Sequence, residues 1–186
     1  VLFVGIGHGH DALLALIDDI VGNVVGVDPY ISSHGNDDGD MHTLLNLIET
    51  YKLSNRFTLI RSAVEDYLSE SEQTFDAVIC GDVLHHIFET PELLRHSQMF
   101  YSAVRLFERF FQTTNEHGQF LISDVNRYGL RPFLHNHGIL HGKVNYKTKQ
   151  PSKEWTIAAR QAGWQLQTLK TYTPYVLRRQ ACLWSG

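Results

Sequence analysis

Cysteine is scarce in this sequence: Cys80 and Cys182 are the only two among 186 residues. They lie far apart, each inside an apolar run. That spacing offers neither a disulfide framework nor a zinc knuckle, and it reads as two buried, reduced thiols of a cytoplasmic protein. Long hydrophobic runs are missing as well. No stretch approaches the ~20 continuous apolar residues of a membrane span, and no charged segment followed by an apolar one opens the chain. A surplus of positive charge is also lacking, since 16 Lys+Arg against 20 Asp+Glu leave a formal charge of −4. Binding to a phosphate backbone therefore has no general electrostatic basis, and a small-molecule partner is expected rather than a nucleic acid. There is no internal repeat and no low-complexity segment.

What is present suits one α/β domain with a full core, so residues 1–186 are read as a single domain: 43% of residues are hydrophobic and 19% charged. The 11 histidines are many for this length, and net charge should climb steeply as pH falls through their reference pKa near ~6.5. The chain opens inside an apolar strand, Val1-Leu2-Phe3-Val4, which breaks into Gly5-Ile6-Gly7-His8-Gly9. A helix-like stretch with Leu13, Leu16, Ile17 and Ile20 at helical spacing follows, and a second apolar strand, residues 23–28, ends on Asp28-Pro29. Strand, glycine turn, helix, and strand ending on a lone carboxylate is how a Rossmann-type βαβ unit holds an adenosine. The dinucleotide pattern would need a small residue at position 10, which is His10 here, so an NAD(P) oxidoreductase is disfavoured.

Further along, a polar loop over residues 32–40 leads to a helix carrying Met41, Leu44, Leu45, Leu47 and Ile48. Strands are expected at 57–60, 75–80 and 119–124, with a long amphipathic helix between 92 and 111. Residues 126–150 lack a clear period. A helix over 151–162 follows, with Pro151 well placed at its start, and 164–171 with 180–184 read as a terminal strand pair. Strands alternating with helices argue for a mostly parallel, three-layer sheet.

Four motifs in this order resemble those of the class I S-adenosylmethionine (SAM) dependent methyltransferases. They are the Gly-x-Gly-x-Gly turn, the run Phe75-Asp76-Ala77-Val78-Ile79-Cys80-Gly81-Asp82-Val83-Leu84-His85-His86-Ile87, the strand Gly118-Gln119-Phe120-Leu121-Ile122-Ser123-Asp124, and the turn Ala162-Gly163-Trp164. Ala63-Val64-Glu65-Asp66, Leu84-His85-His86 and Asn126-Arg127-x-Gly129 look most like the ubiquinone-biosynthesis type of small-molecule O-methyltransferase. The resemblance implies a Rossmann-like αβα sandwich with a seven-stranded sheet whose last strand is antiparallel. It also implies SAM as cofactor and a small-molecule acceptor, and it suggests that helices usual before the first strand are missing from this chain.

The same resemblance places the cofactor among Gly5, Gly7, Gly9, Asp28, Pro29, Val64, Glu65 and Gly81. The glycines would let the backbone approach its methionine end near the first helix, and Asp28 would accept hydrogen bonds from both ribose hydroxyls. An alternative for Asp28 is a cap on the next turn. Pro29, Val64 and Glu65 would face the adenine, and Gly81 would line the route to the sulfonium. Three departures stand out. Phe3 replaces the acidic residue usual at the end of strand one, neither Ser62 nor Ala63 supplies the acidic partner of adenine, and the loop over 30–40 is long. A non-catalytic SAM-binding protein is a competing reading on these grounds.

Methyl transfer to a hydroxyl needs a base or a metal as well as alignment. Asp82, His85 and His86 are the candidates, as general base, as a divalent-metal site that is not favoured, or as residues that only hydrogen-bond their loop. His135, His137 and His141 match no standard zinc motif. His34, Asp37, Asp38, Asp40 and His42 read as an exposed loop without the closing Glu of a calcium hand.

Overall fold

The computed structural model describes residues 1–31, 36–125, 148–171 and 180–185. Its strands are β1 (Leu2–Val4), β2 (Val24–Val27), β3 (Phe57–Ile60), β4 (Phe75–Gly81), β5 (Thr114–Asp124), β6 (Gln165–Thr171) and β7 (Gln180–Ser185). Its helices are α1 (His10–Ile17), α2 (Asp38–Thr50), α3 (Val64–Glu70), α4 (Leu84–Ile87), α5 (Met99–Gln112) and α6 (Ser152–Gln161). All strands join one seven-stranded sheet in the order β3-β2-β1-β4-β5-β7-β6. The first five are parallel, and β7 runs antiparallel to both β5 and β6. The chain thus folds into the Rossmann-like three-layer arrangement expected from its motifs.

β1 and β2 are apolar throughout because helices cover both faces of the sheet. On one face Phe107, Phe110, Phe120, Trp155 and Trp164 form the heart of the core, and the Trp164 indole N–H is satisfied by the Phe107 carbonyl at 3.0 Å. On the other, Phe3 packs with Leu13 and Leu16 of α1 and Leu44 and Ile48 of α2. Phe3, the first departure noted above, is therefore a core residue of β1. The strand order reverses between β1 and β4, where β2 and β4 leave β1 on opposite sides. A crevice opens at the carboxyl ends of the strands at such a switch point, and ligands bind there in open α/β sheets.

Several boundaries depart from the sequence reading. α1 stops at Ile17, and Ile20 is exposed beyond Asp19, whose φ is +53°. The long helix expected over 92–111 is divided into a 3-10 turn, Leu94–His96, and α5. Ahead of the 3-10 turn, the Gln150 amide accepts from Leu94 N–H at 2.9 Å and donates to the Glu92 carbonyl at 2.9 Å. β5 starts at Thr114, ahead of the expected position, with a register irregularity opposite Phe75 and Ala77. Periodicity assigns no element to α3, a short helix with only Val64 and Leu68 buried.

Residues 37–40, the acidic end of the expected loop, form the start of α2. Asp37 caps α2, its Oδ1 accepting from Gly39 N–H (2.8 Å) and Asp40 N–H (3.2 Å), while Asp40 reaches back to Asp37 N–H (2.9 Å) in a capping box. Asp38, Asp40 and His42 therefore lie in the helix and not in a loop. His34, His135, His137, His141 and Asn126-Arg127-x-Gly129 lie outside the described residues.

Candidate active site

The turn from β1 into α1 is built on three left-handed residues, Gly5, Gly7 and Gly9, with φ of +66°, +50° and +68°. Their N–H groups point into the protein. Gly5 donates to the Val27 carbonyl (2.8 Å), Gly9 to the Ile6 carbonyl (2.8 Å), and Gly7 to Asp28 Oδ2 (3.0 Å). The first intrahelical bond is Leu13 N–H to the Gly9 carbonyl (2.8 Å), so the N–H groups of His10, Asp11 and Ala12 precede the ladder of α1. Those three, rather than the glycine amides, are the helix-end donors available to an anion.

Asp28 directly follows β2 and is 3% exposed. Besides Gly7 it binds the Tyr30 backbone N–H through Oδ1 (2.8 Å), and the Asn36 amide through Oδ2 (3.2 Å). The turn-capping alternative is thus realised, and it coexists with a position on a cavity wall. Tyr30 lies beneath this turn, its hydroxyl donating to the Gly7 carbonyl at 2.8 Å. Burial pushes its phenol pKa up, and the charges of Asp28 and then Asp40 add to the shift.

These groups border a cavity of about 630 Å³. One wall is Val4, Gly5, Gly7, His8 and Asn36, the next is Val27 to Pro29 with Ile31, a third is Ser62 to Glu65, and the last is Gly81, Asp82, Val83, His86 and Ile87. Among the expected site residues, Gly5, Gly7, Asp28, Pro29, Val64, Glu65, Gly81, Asp82 and His86 line this one space. Gly9 and His85 do not. Gly9 is the N-cap of α1 and abuts Leu44, so its place is in the packing of α1 against α2. At the rim, His8 Nε2 meets Asp40 Oδ1 at 2.9 Å and the His8 ring stacks on His10.

His85 is 6% exposed and faces Asp124 at the end of β5. Its ring Nδ1 is hydrogen-bonded to Asp124 Oδ1 and its backbone N–H donates to Oδ2 at 3.1 Å. Val125 N–H also donates to Oδ1 at 2.6 Å, so the carboxylate is held in place. The His85 and His86 rings lie 4.1 Å apart between centroids. Nearby, the Cys80 thiol is pushed well up by burial and secondarily by the charge of Asp124. Lys149 is shifted the other way: burial lowers its ammonium pKa, opposed in part by Asp124, Glu89 and Asp82. Among the described residues, no group of three or more His, Cys, Asp and Glu side chains is gathered to hold a metal ion.

Sequence reasoning assigned no role to Asp124, Tyr30 or Asn36. Asp124 carried a signal, since it is a lone carboxylate closing a parallel strand just as Asp28 does. Tyr30 carried none, because its φ of +49° is not one that a tyrosine advertises.

No helix among the described residues is long and apolar enough to cross a membrane. No curated protein matches the sequence. Solved structures do match the fold. An O-methyltransferase family protein from Burkholderia thailandensis aligns at 15% identity with a TM-score of 0.69, over 99% of this chain and 49% of that one. An O-methyltransferase family 2 protein from Planctomyces limnophilus, in complex with apigenin, aligns at 14% identity and TM-score 0.68, over 100% of this chain and 50% of that one. Magnesium protoporphyrin IX methyltransferase from Synechocystis PCC 6803, with bound SAH, aligns at 14% identity and TM-score 0.62, over 99% and 72%. The chain spans about half the length of the first two. The sequence profile described as a methyltransferase domain matches residues 1–169, and the chain belongs to that methyltransferase family.

Proposed function

We propose that this chain is the SAM-binding domain of an enzyme that transfers a methyl group to a hydroxyl oxygen of a small-molecule acceptor. The observation that carries this reading is the buried Asp28 carboxylate on the wall of a cavity at the sheet's switch point, beside the glycine turn. The residues fit the cofactor. A carboxylate offers about four acceptor directions; two backbone N–H groups and the Asn36 amide fill three of them, and only the Asn36 contact is made by a side chain free to turn away. Two directions are then open to a ribose diol. Gly81 supplies a cradle, because a Cβ there meets no atom within 4 Å. The apolar Val4, Val64 and Ile87 suit the uncharged parts of the ligand.

When bound, SAM supplies a sulfonium methyl that is already activated, so the protein's tasks are alignment, exclusion of water and removal of a proton. The pair His85 and Asp124 supports the last task. Asp124 holds the ring Nδ1 and the backbone N–H of His85, whose ring lies 4.1 Å from that of His86, and His86 on the cavity wall is the group placed to take the acceptor's proton. The net charge of −4 supports a small molecule over a nucleic acid, and apigenin in the Planctomyces structure supports an aromatic hydroxyl. The free, buried thiol of Cys80 suits the reducing cytoplasm.

Titration calorimetry with S-adenosylhomocysteine (SAH), run beside NAD⁺, tests the reading. Micromolar SAH binding with no NAD⁺ binding is expected, followed by turnover in a screen of phenolic acceptors. SAH binding without turnover on any acceptor would favour a non-catalytic protein, and preferential NAD⁺ binding would overturn the cofactor assignment.

A further inference from the structure

We propose that Tyr30 is a positioning residue of the cofactor site, clamping the Gly7 peptide and the Asp28 carboxylate in the arrangement that receives the ligand. Three hydrogen bonds close a ring. The Tyr30 hydroxyl donates to the Gly7 carbonyl at 2.8 Å, Gly7 N–H donates to Asp28 Oδ2 at 3.0 Å, and Tyr30 N–H donates to Asp28 Oδ1 at 2.8 Å. The ring ties the turn after β1 to the end of β2, and both Gly7 and Asp28 line the cavity.

Gly7 needs such a tie. At φ +50° and without a side chain, it has more backbone freedom than any other residue type, and rotation of its peptide would take its N–H off Asp28. The clamp fixes the N–H and the carbonyl of Gly7 at once. Tyr30 itself adopts φ +49°, an uncommon conformation for a bulky side chain that persists only where the surroundings enforce it. A plain packing role would leave the hydroxyl unexplained, because phenylalanine fills the same volume. The raised pKa of the phenol keeps it protonated, and hence a donor to Gly7, throughout the neutral range.

The inference rests on the SAM reading, and its test separates the two. The parent protein, Tyr30→Phe, Asp28→Asn and the double variant are compared by SAH calorimetry at a temperature where all are folded. Exchange of the Gly7 amide proton is followed by NMR without ligand. Tyr30→Phe is expected to weaken SAH binding about 5- to 20-fold, in line with one lost buried hydrogen bond, and to speed Gly7 amide exchange. In the Asp28→Asn background the same change should add less than about twofold, since Tyr30 acts through that carboxylate. A parent that binds SAH and a Tyr30→Phe protein that binds it equally, or whose Gly7 amide exchanges no faster, would overturn the clamp alone. A parent that does not bind SAH would overturn the cofactor reading, and the role of Tyr30 with it.

Discussion

Asp124 holds His85 at two points, one oxygen on the ring Nδ1 and the other on the backbone N–H at 3.1 Å, across 39 residues of sequence. The double contact fixes both the position of α4 and the direction of the imidazole. His86, the next residue of that helix, lines the cavity, so the contact positions the residue proposed as base. His85→Ala and Asp124→Asn are therefore expected to lower kcat by about 10²-fold through displacement of His86, while SAH affinity changes by less than about threefold. Steady-state kinetics beside calorimetry reads both quantities. Undiminished turnover in either folded variant would remove the pair from the chemistry.

Asp28 has a structural duty as well as a proposed ligand, because two backbone N–H groups depend on it. Asp28→Ala should weaken SAH binding by about 1.5–3 kcal/mol, the range for hydrogen bonds to a charged group, and should lower the unfolding midpoint as well. Asp28→Asn keeps one oxygen acceptor and should lose affinity with a smaller loss of midpoint. Calorimetry and thermal melts on both variants separate the two duties. Equal dissociation constants in all three proteins would take Asp28 out of the site.

Two glycines on the same set of motifs should respond in opposite ways. At Gly81 a Cβ meets nothing within 4 Å and projects toward the cavity, so Gly81→Ala should leave stability nearly unchanged and reduce SAH affinity. At Gly9 φ is +68° and a Cβ would lie 2.5 Å from Leu44 Cδ1, a side chain that is fully buried. Gly9→Ala should cost about 1–3 kcal/mol of stability, for left-handed strain and overpacking together. Melting curves and SAH titrations of the pair should show that crossed pattern, and a Gly9→Ala protein as stable as its parent would show the turn to be more yielding than its packing implies.

Most of the fold was legible because it is encoded locally. The glycine turn, Asp28 and the apolar strands sit in one short βαβ stretch, and the strand beginning Phe75-Asp76 announces the opposite wall. What sequence could not convey was long-range pairing. Whether His85 or His86 faced the cavity turned on Asp124, 39 residues away, and the segment ahead of α5 is held by Gln150, 56 residues beyond Leu94. The role of Phe3 was misleading for the same reason: read against a motif it is a missing carboxylate, and read against α1 and α2 it is core.

Lys149 gives the clearest pH signature. It is 7% exposed, and burial lowers its ammonium pKa despite the opposing pull of Asp124, Glu89 and Asp82. Below the lowered folded-state value, both folded and unfolded chains carry the proton and the full cost of burying the charge is present. Between that value and the ordinary 10.5, the unfolded chain binds more protons than the folded one, so stability attributable to this group rises with pH. Lys149→Met removes the buried charge and should raise the unfolding midpoint by a few degrees near neutral pH, roughly what about 1 kcal/mol does for a chain of this size. Its advantage over the parent should shrink as pH climbs toward that of the unfolded lysine. Melts of both proteins across alkaline pH measure the difference, and an advantage that is constant or grows with pH would mean that the three carboxylates, and not desolvation, dominate the environment of Lys149.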